Sequence, residues 1–542
     1  MRKIFINGKV MTMQDGEMAE GFLVEGEIFK RVASNEELLA LKDDETAVVD
    51  LEGKWVLPGF NDSHMHLVSY GLSTKKVDLR NCKSLEEVGS TIKSYIDNLE
   101  ENYFGEWIVG HGWNEENFDQ SKLPTADFLD TITTAYPIYL SRACYHICAV
   151  NSKALEVAGV NEKTPDPEGG KIDRYPNTQK PNGILRENGL WLAYEKIPSV
   201  TEVHQIKKVI QSAVEDALKV GLTSIQTEDF GQVEDFKKMI TAYQELEQEG
   251  NLNLRINLQM LLQEKDKLQR LIDLGYHSGM GSNLLKFGPL KMLADGSLGG
   301  RTAALREGYA DDPENKGILI FEDQKLKEHL RYATENNLQL AVHAIGDQTM
   351  IQLLDIYEEI FGKGNDRRPR IIHCQITDQE IINRMAKLNV IGDIQPGFLP
   401  TDLKMVEARV GENRARESYA WKSMLHSGVH VAGGSDCPIE SFNPFLGIYG
   451  GVTRKDYEGK PEAGWNPQEC LTLEEAIGLY TTGASYATFE ENIKGKIQEG
   501  YLADFIVLKE DIKAIPELEL KDVTVLETYV GGVCRYHKHT CH

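Results

Sequence analysis

Two histidines one residue apart, His64-Met65-His66, end the strand-like segment WVLPGFNDSHMH (55–66). In an extended chain residues i and i+2 point the same way, so both imidazoles face one side. Two neighbouring imidazoles suit zinc or a similar first-row divalent ion. Alone the spacing is a weak signal, because such pairs are usually packing or surface residues. Three further groups change its weight. His343 lies near the end of LQLAVHAI (338–345), His373 near the end of PRIIHCQ (369–375), and Asp436 closes HVAGGSD (430–436). Four histidines and an aspartate at the same end of separate apolar segments read as a metal site.

Those segments belong to a longer series. TSIQTED (223–229), LRINLQMLL (254–262), LLKFGPLKML (284–293) and VIGDIQP (390–396) have the same near-continuous apolar character, which makes eight strand candidates. Runs apolar on both faces are expected of parallel strands covered by helices. Amphipathic stretches lie between them. In VHQIKKVIQSAVEDALKVG (203–221), Ile206, Val209, Ile210, Ala213, Val214 and Ala217 form one helical stripe, and Gly221 suits a C-terminal cap. Eight such strands predict an α/β fold of the (β/α)8 barrel type, with its active site at the C-terminal rim. An open doubly wound sheet would call for a Gly-rich dinucleotide loop or a P-loop, and none follows the first strand. Both ends of the chain read as short strands broken by glycine, predicting a small flanking β-sandwich from 1–57 and 486–542. The barrel then takes 58–485. Within it, 71–202 holds its own strands (EWIVGHGW, PIYLSRA) and a Gly/Pro/Asn-rich loop, TPDPEGGKIDRYPNTQKPNG, and is expected as an insertion over the barrel mouth.

LPGFNDSHMH, the single histidines of the fifth and sixth strands and the terminal SD resemble the amidohydrolase superfamily. KMLADGSLGGRTAAL, AVHAIGDQ, IIHCQI and GGSDCPIE resemble its N-substituted formamide deformylase-like branch, and the likeness runs to the closing GKIQEGYLADFIVL. The resemblance implies a barrel with one or two divalent metals, a flanking β-sandwich and hydrolysis of a carbon–nitrogen bond of amide, N-formyl or N-acyl type. It assigns His64 and His66 to the more buried metal and His343 and His373 to the second, with Asp436 as ligand and proton acceptor. His373 and Asp436 are thereby the catalytic candidates. In many members a fourth-strand lysine is carboxylated by CO2 and bridges the metals; Lys291 in GPLKMLADGS is the candidate. A lysine inside an apolar strand is otherwise expensive to bury, and burial lowers its basicity as carbamate formation requires. Asp295 or Glu228 could instead supply a carboxylate, or pair with Lys291.

Substrate contacts are expected from Arg301 in DGSLGGRT and, within the insertion, from His111 and Trp113 (GHGWNEENF), His146 (RACYHICAVNS) and Glu187 (GILRENG). Cys374 and Cys437 adjoin His373 and Asp436, so alternation turns them towards packing. Cys144 and Cys148 are a weak zinc signal, as is the tail HKHTCH (537–542). The formal net charge is −25, which disfavours nucleic acid and anionic membranes as partners. A small molecule is the expected substrate, and a homodimer is compatible with the fold class. No apolar run reaches the roughly 18–20 residues of a membrane span, and the start lacks a secretory apolar core, so a cytoplasmic setting is expected. Two other readings fit the same residues: a mononuclear-metal deaminase, and a catalytically silent barrel acting as a binding or regulatory protein. A nucleophilic hydrolase lacks its GxSxG elbow.

Overall fold

The computed structural model describes residues 2–144 and 146–538; residues 539–542 of the HKHTCH tail lie outside them. The chain divides into two compact units, one of 1–67, 210–231 and 239–542, the other of 68–209 with 232–238.

The first unit contains an eight-stranded, all-parallel sheet. Its strands are β1 (Phe60–Met65), β2 (Leu222–Glu228), β3 (Arg255–Leu261), β4 (Leu285–Leu293), β5 (Leu340–Ala344), β6 (Arg370–His373), β7 (Ile391–Ile394) and β8 (Val431–Gly433). Neighbours in sequence are neighbours in the sheet, as a (β/α)8 barrel demands. All eight segments expected from the sequence carry a strand. Between the rims of β8 and β1 the backbone still bonds: Asp436 N–H donates to His64 C=O at 2.7 Å and His66 N–H to Cys437 C=O at 2.8 Å. That closing seam sets Asp436 beside the two histidines.

The helix expected over 203–221 spans Val203–Lys219. Its six stripe residues are buried, and Gly221 turns the chain at φ +86°. The segment 55–66 is two strands rather than one. Trp55–Pro58 joins a sheet built from the chain ends, and β1 enters the barrel. The break falls at Gly59, where an added Cβ would stand 2.2 Å from Thr223 Oγ1, so only glycine passes there.

The ends form a four-stranded sheet (Ile28–Ala33, Gly21–Glu25, Arg2–Ile6, Ala47–Asp50) and a six-stranded one. The latter runs Val533–His537, Val525–Val530, Phe505–Leu508, Trp55–Pro58, Lys9–Met11, Met18–Ala19. Phe5, Phe22, Phe29, Phe505 and Tyr529 share one core, with Phe505 stacked on Tyr529 at 4.3 Å.

The second unit has its own six-stranded mixed sheet: Gly170–Arg174, Pro181–Glu187, Ile147–Val150, Ile138–Arg142, Ile108–Trp113, Val77–Asp78. Alternate residues feed opposite faces: Val109, Tyr139, Cys148 and Leu185 enter one core, Ile108, Leu140, Ala149 and Ile184 the other. The stretch 164–183, expected as a loop, holds Gly170–Arg174, paired antiparallel with Pro181–Glu187. Its glycines and prolines hide the strand Gly170–Arg174, of whose five residues Ile172 alone is buried.

Candidate metal centre

β1, β2, β4, β5 and β6 deliver their polar side chains to the same rim. His64 Nε2, His66 Nε2 and an Asp436 oxygen form a group whose ligand atoms all lie within 4.8 Å of one another. Asp436 Oδ1 stands 3.3 Å from His64 Nε2 and 3.1 Å from His66 Nε2. The ring of His373 lies 6.0 Å from that of His64 and 4.5 Å from that of His343, so the four imidazoles form a continuous arc.

What each ring does with its other nitrogen decides whether it can bind a cation. His64 Nδ1 lies 2.7 Å from Gln259 Oε1, and Gln259 Nε2 donates in turn to Ser63 C=O at 2.9 Å. The glutamine oxygen can only accept, so Nδ1 carries the proton and Nε2 presents a lone pair. His373 repeats the device, its Nδ1 2.7 Å from Gln395 Oε1. His66 Nδ1 is held 2.9 Å from Glu228 C=O and 3.2 Å from Glu228 Oε2. His343 Nδ1 lies 2.9 Å from Asp295 Oδ1, off the line of an aligned hydrogen bond. Nitrogen ligands with oriented lone pairs beside a carboxylate are a donor set that fits a first-row divalent ion.

Burial drives the electrostatics. It lowers His64, aided by the nearby Lys291 ammonium, to about 3, and lowers His373 well below the usual imidazole range. At His66 burial also acts downwards, but Asp436 and Glu228 overcome it and raise the ring to about 10. Burial acts upwards on Asp436, yet His64 and His66 hold it well below the usual carboxylate range. Burial pushes the neighbouring Asp62 up to about 7; its Oδ1 accepts the His64 and Ser435 amides, both at 3.1 Å, across the barrel seam. Three residues at the rim adopt left-handed backbone: His373 (φ +85°), Cys374 (φ +48°) and Asp436 (φ +56°). Non-glycine residues are held there at a cost of order 1–3 kcal/mol, and such strain gathers at functional sites.

Lys291 is buried, with Nζ 3.1 Å from His64 Nε2. Burial lowers its basicity to about 8. The two rival carboxylates are otherwise engaged. Asp295 accepts the Ile345 and Gly346 amides at 3.1 and 2.8 Å, the Ala304 amide at 3.1 Å and Thr349 Oγ1 at 2.9 Å, which makes it an organiser of the rim loops. Glu228 backs His66 and accepts the Gly231 amide at 2.9 Å.

Arg301 is turned to Asp311, Nη2 to Oδ2 at 2.9 Å, and shares that carboxylate with Arg409. The remaining expected contacts lie in the second unit. His146 pairs with Glu187 at 2.8 Å, both exposed, and His111 is half-buried on Ile108–Trp113. Trp113 is a correction: it is fully buried, its Nε1–H donates to Leu140 C=O at 2.9 Å, and it packs the core rather than a substrate wall. Cys144 is exposed and Cys148 buried, and neither belongs to a metal-ligand cluster among the described residues; Cys374 and Cys437 are buried, as expected of packing residues. Gln259, Gln395 and Asp62 are the participants missed from the sequence. Their only signal is a polar residue inside an apolar strand.

Residues 47–536 match the model of a family described as the amidohydrolase family. The chain is 35% identical over 540 residues to "Putative amidohydrolase YtcJ" of Bacillus subtilis, covering 99% of this chain and all of that protein. It is 27% identical to the N-substituted formamide deformylase of Arthrobacter pascens, covering 99% and 98% of the two chains. Among solved structures, an uncharacterized metal-dependent hydrolase from Pyrococcus furiosus superposes with a TM-score of 0.78 at 29% identity, over 94% of this chain and 99% of that one.

Proposed function

The chain belongs to the amidohydrolase family, and from that premise we propose that it hydrolyses a carbon–nitrogen bond, amide or N-formyl/N-acyl, of a small molecule. The hydrolase class follows from the family, and a divalent cofactor accords with the metal-dependent hydrolase it superposes on. The observation that carries the finer reading is the convergence of two oriented imidazoles and a carboxylate at one point of the rim.

His64, His66 and Asp436 would hold one ion, with zinc our choice because imidazole and carboxylate ligands suit it. His343 and His373 would hold a second. Lys291, as its carbamate, would add a negatively charged oxygen ligand to this set, a reading supported by its burial and its place against His64. When bound, a divalent ion supplies Lewis acidity, bringing the pKa of water from about 15.7 towards 7 and polarising the scissile carbonyl.

The chain's own residues do the rest. Asp436 Oδ1 accepts the proton of the attacking water and returns it to the departing amine nitrogen, the group whose protonation lets the C–N bond break. Gln259 and Gln395 hold His64 and His373 in the Nδ1–H tautomer. Asp62, bonded to the amides of His64 and Ser435, keeps Asp436 in register with β1. The kinship with an N-substituted formamide deformylase makes N-formyl amines the first substrates to try.

The test is elemental analysis of protein purified without chelators, beside His64→Ala. About two divalent ions per chain, reduced in the variant, with formate release from N-formyl amines, is the expected result. A single ion with unmodified Lys291 would instead favour a deaminase, and no ion after reconstitution with metal and bicarbonate would sink the proposal.

A further inference from the structure

The second unit contains a cavity of about 480 Å³, whose walls include Lys76, Tyr139, His146, Glu187, Trp191 and Tyr194. That volume is within the roughly 300–1,000 Å³ usual for small-molecule sites. We propose that it binds a small aromatic or apolar carboxylate, its acid on Lys76 and its hydrocarbon part against Trp191, Tyr194 and Tyr139.

Lys76 supplies the charge. Several other cations of this unit have carboxylates: Arg142 holds Glu115 at 2.8 Å, Arg186 holds Asp173 at 2.8 Å and Lys208 holds Glu101 at 2.8 Å. Lys76 has no ion pair among the described residues. Desolvation lowers its pKa, and its charge is felt by His111. In a chain with 84 acidic residues, a half-buried ammonium left without one is a vacancy for an anion. Glu187 lies 2.8 Å from His146 and is engaged there, which leaves Lys76 as the lining's one lysine or arginine.

The aromatic wall supplies the shape. Trp191 and Tyr194 are 53% and 45% exposed, too much for packing residues. Their rings meet edge to face at 5.4 Å, and Tyr194 lies 5.7 Å from the buried Tyr139. Tryptophan and tyrosine on a concave surface are the usual anchors for flat apolar ligands. The backbone points the same way. Glu187 is held at φ 49°, ψ −127° with its N–H donating to His146 C=O at 2.9 Å, a strained conformation of the kind that clusters at ligand clamps.

Binding is an equilibrium property, so it is testable whether or not the metal-centre reading holds. Phenylbutyrate, its neutral amide and phenylbutylamine would be titrated into the full-length protein by calorimetry and tryptophan fluorescence. The expected result is saturable binding of the acid, roughly tenfold weaker binding of the amide and weaker still of the amine. Lys76→Met should bring the acid down to the amide's affinity while leaving the thermal melt and metal content unchanged, and Trp191→Phe should remove most of the fluorescence change. Equal binding of acid and amine, an unmoved Lys76→Met, or no saturation at millimolar acid would overturn the proposal. N-formylphenylalanine separates two sources of the acid. A KM raised in Lys76→Met at constant kcat makes it part of the substrate, whereas an unmoved KM with phenylbutyrate binding intact makes it a separate ligand.

Discussion

A histidine is a useful ligand only when one nitrogen is committed elsewhere, and here side-chain amides make that commitment. Gln259 reaches His64 across 195 positions of sequence, and Gln395 reaches His373 across 22. The meeting of His64, His66 and Asp436 at one rim was legible because strand geometry says where an HxH pair and a strand-end aspartate point. The glutamines were not, because nothing in LRINLQMLL or VIGDIQP says which strand will stand alongside. Their removal should therefore be felt at the ion. Gln259→Leu should weaken metal binding roughly 10- to 100-fold in chelator competition, with little change in fold. Gln259→Glu, which keeps the accepting oxygen, should recover most of the loss. Equal affinity in all three proteins would mean that the tautomer of His64 is set by something else.

At the scale of elements, the eight strands were readable from apolar runs of the right length, and the helix over 203–219 from one stripe. Boundaries set by tertiary contact were not readable. WVLPGFNDSHMH looks continuous because no turn pair divides it, yet it serves two sheets, and the break falls where Thr223 of β2 presses on Gly59. The strand Ile28–Ala33 escaped notice because only Phe29 of its six residues is buried, leaving no alternation to detect. Gly59→Ala sets the added methyl against Thr223 Cγ2 and Oγ1, at 2.3 and 2.2 Å before relaxation. Overpacking of this kind costs about 1–3 kcal/mol, which denaturant melts would read as an earlier midpoint. Adding Thr223→Gly should restore part of the loss, since the two sites are in contact and their effects will not add. A neutral Gly59→Ala would show that the break between the strands tolerates a side chain.

At the scale of the whole molecule, one rim carries the candidate metal centre and the opposite, N-terminal end of the barrel carries a charge network. Glu490, beyond the last barrel helix, lies 2.6 Å from Lys286 of β4 and 2.6 Å from Lys494, which donates to Ser224 of β2 at 3.0 Å. Arg255 of β3 is bonded to Asp504 from the terminal sheet at 2.6 Å. No sequence pattern announced this end, since its partners come from strands and connections that meet only in the folded chain. Burial pushes Glu490 up, but Lys494 and Lys286 outweigh it and hold it at about 2, below its ordinary 4.5. Burial acts downwards on Lys494 as well, against the pull of Glu490; the carboxylate is the firmer case because it has two cations. A depressed carboxylate contributes stability that is complete above about pH 4.5 and is lost as pH falls towards about 2. Glu490→Gln should therefore cost roughly 3–5 kcal/mol at neutral pH, because the buried Lys494 and the part-buried Lys286 lose their counter-charge. The variant should also show a flatter decline of stability between those two pH values than the wild type. Parallel acid limbs in the two proteins would place the acid sensitivity of the fold elsewhere, whereas convergence of their stabilities near pH 2 would locate it at this end of the barrel.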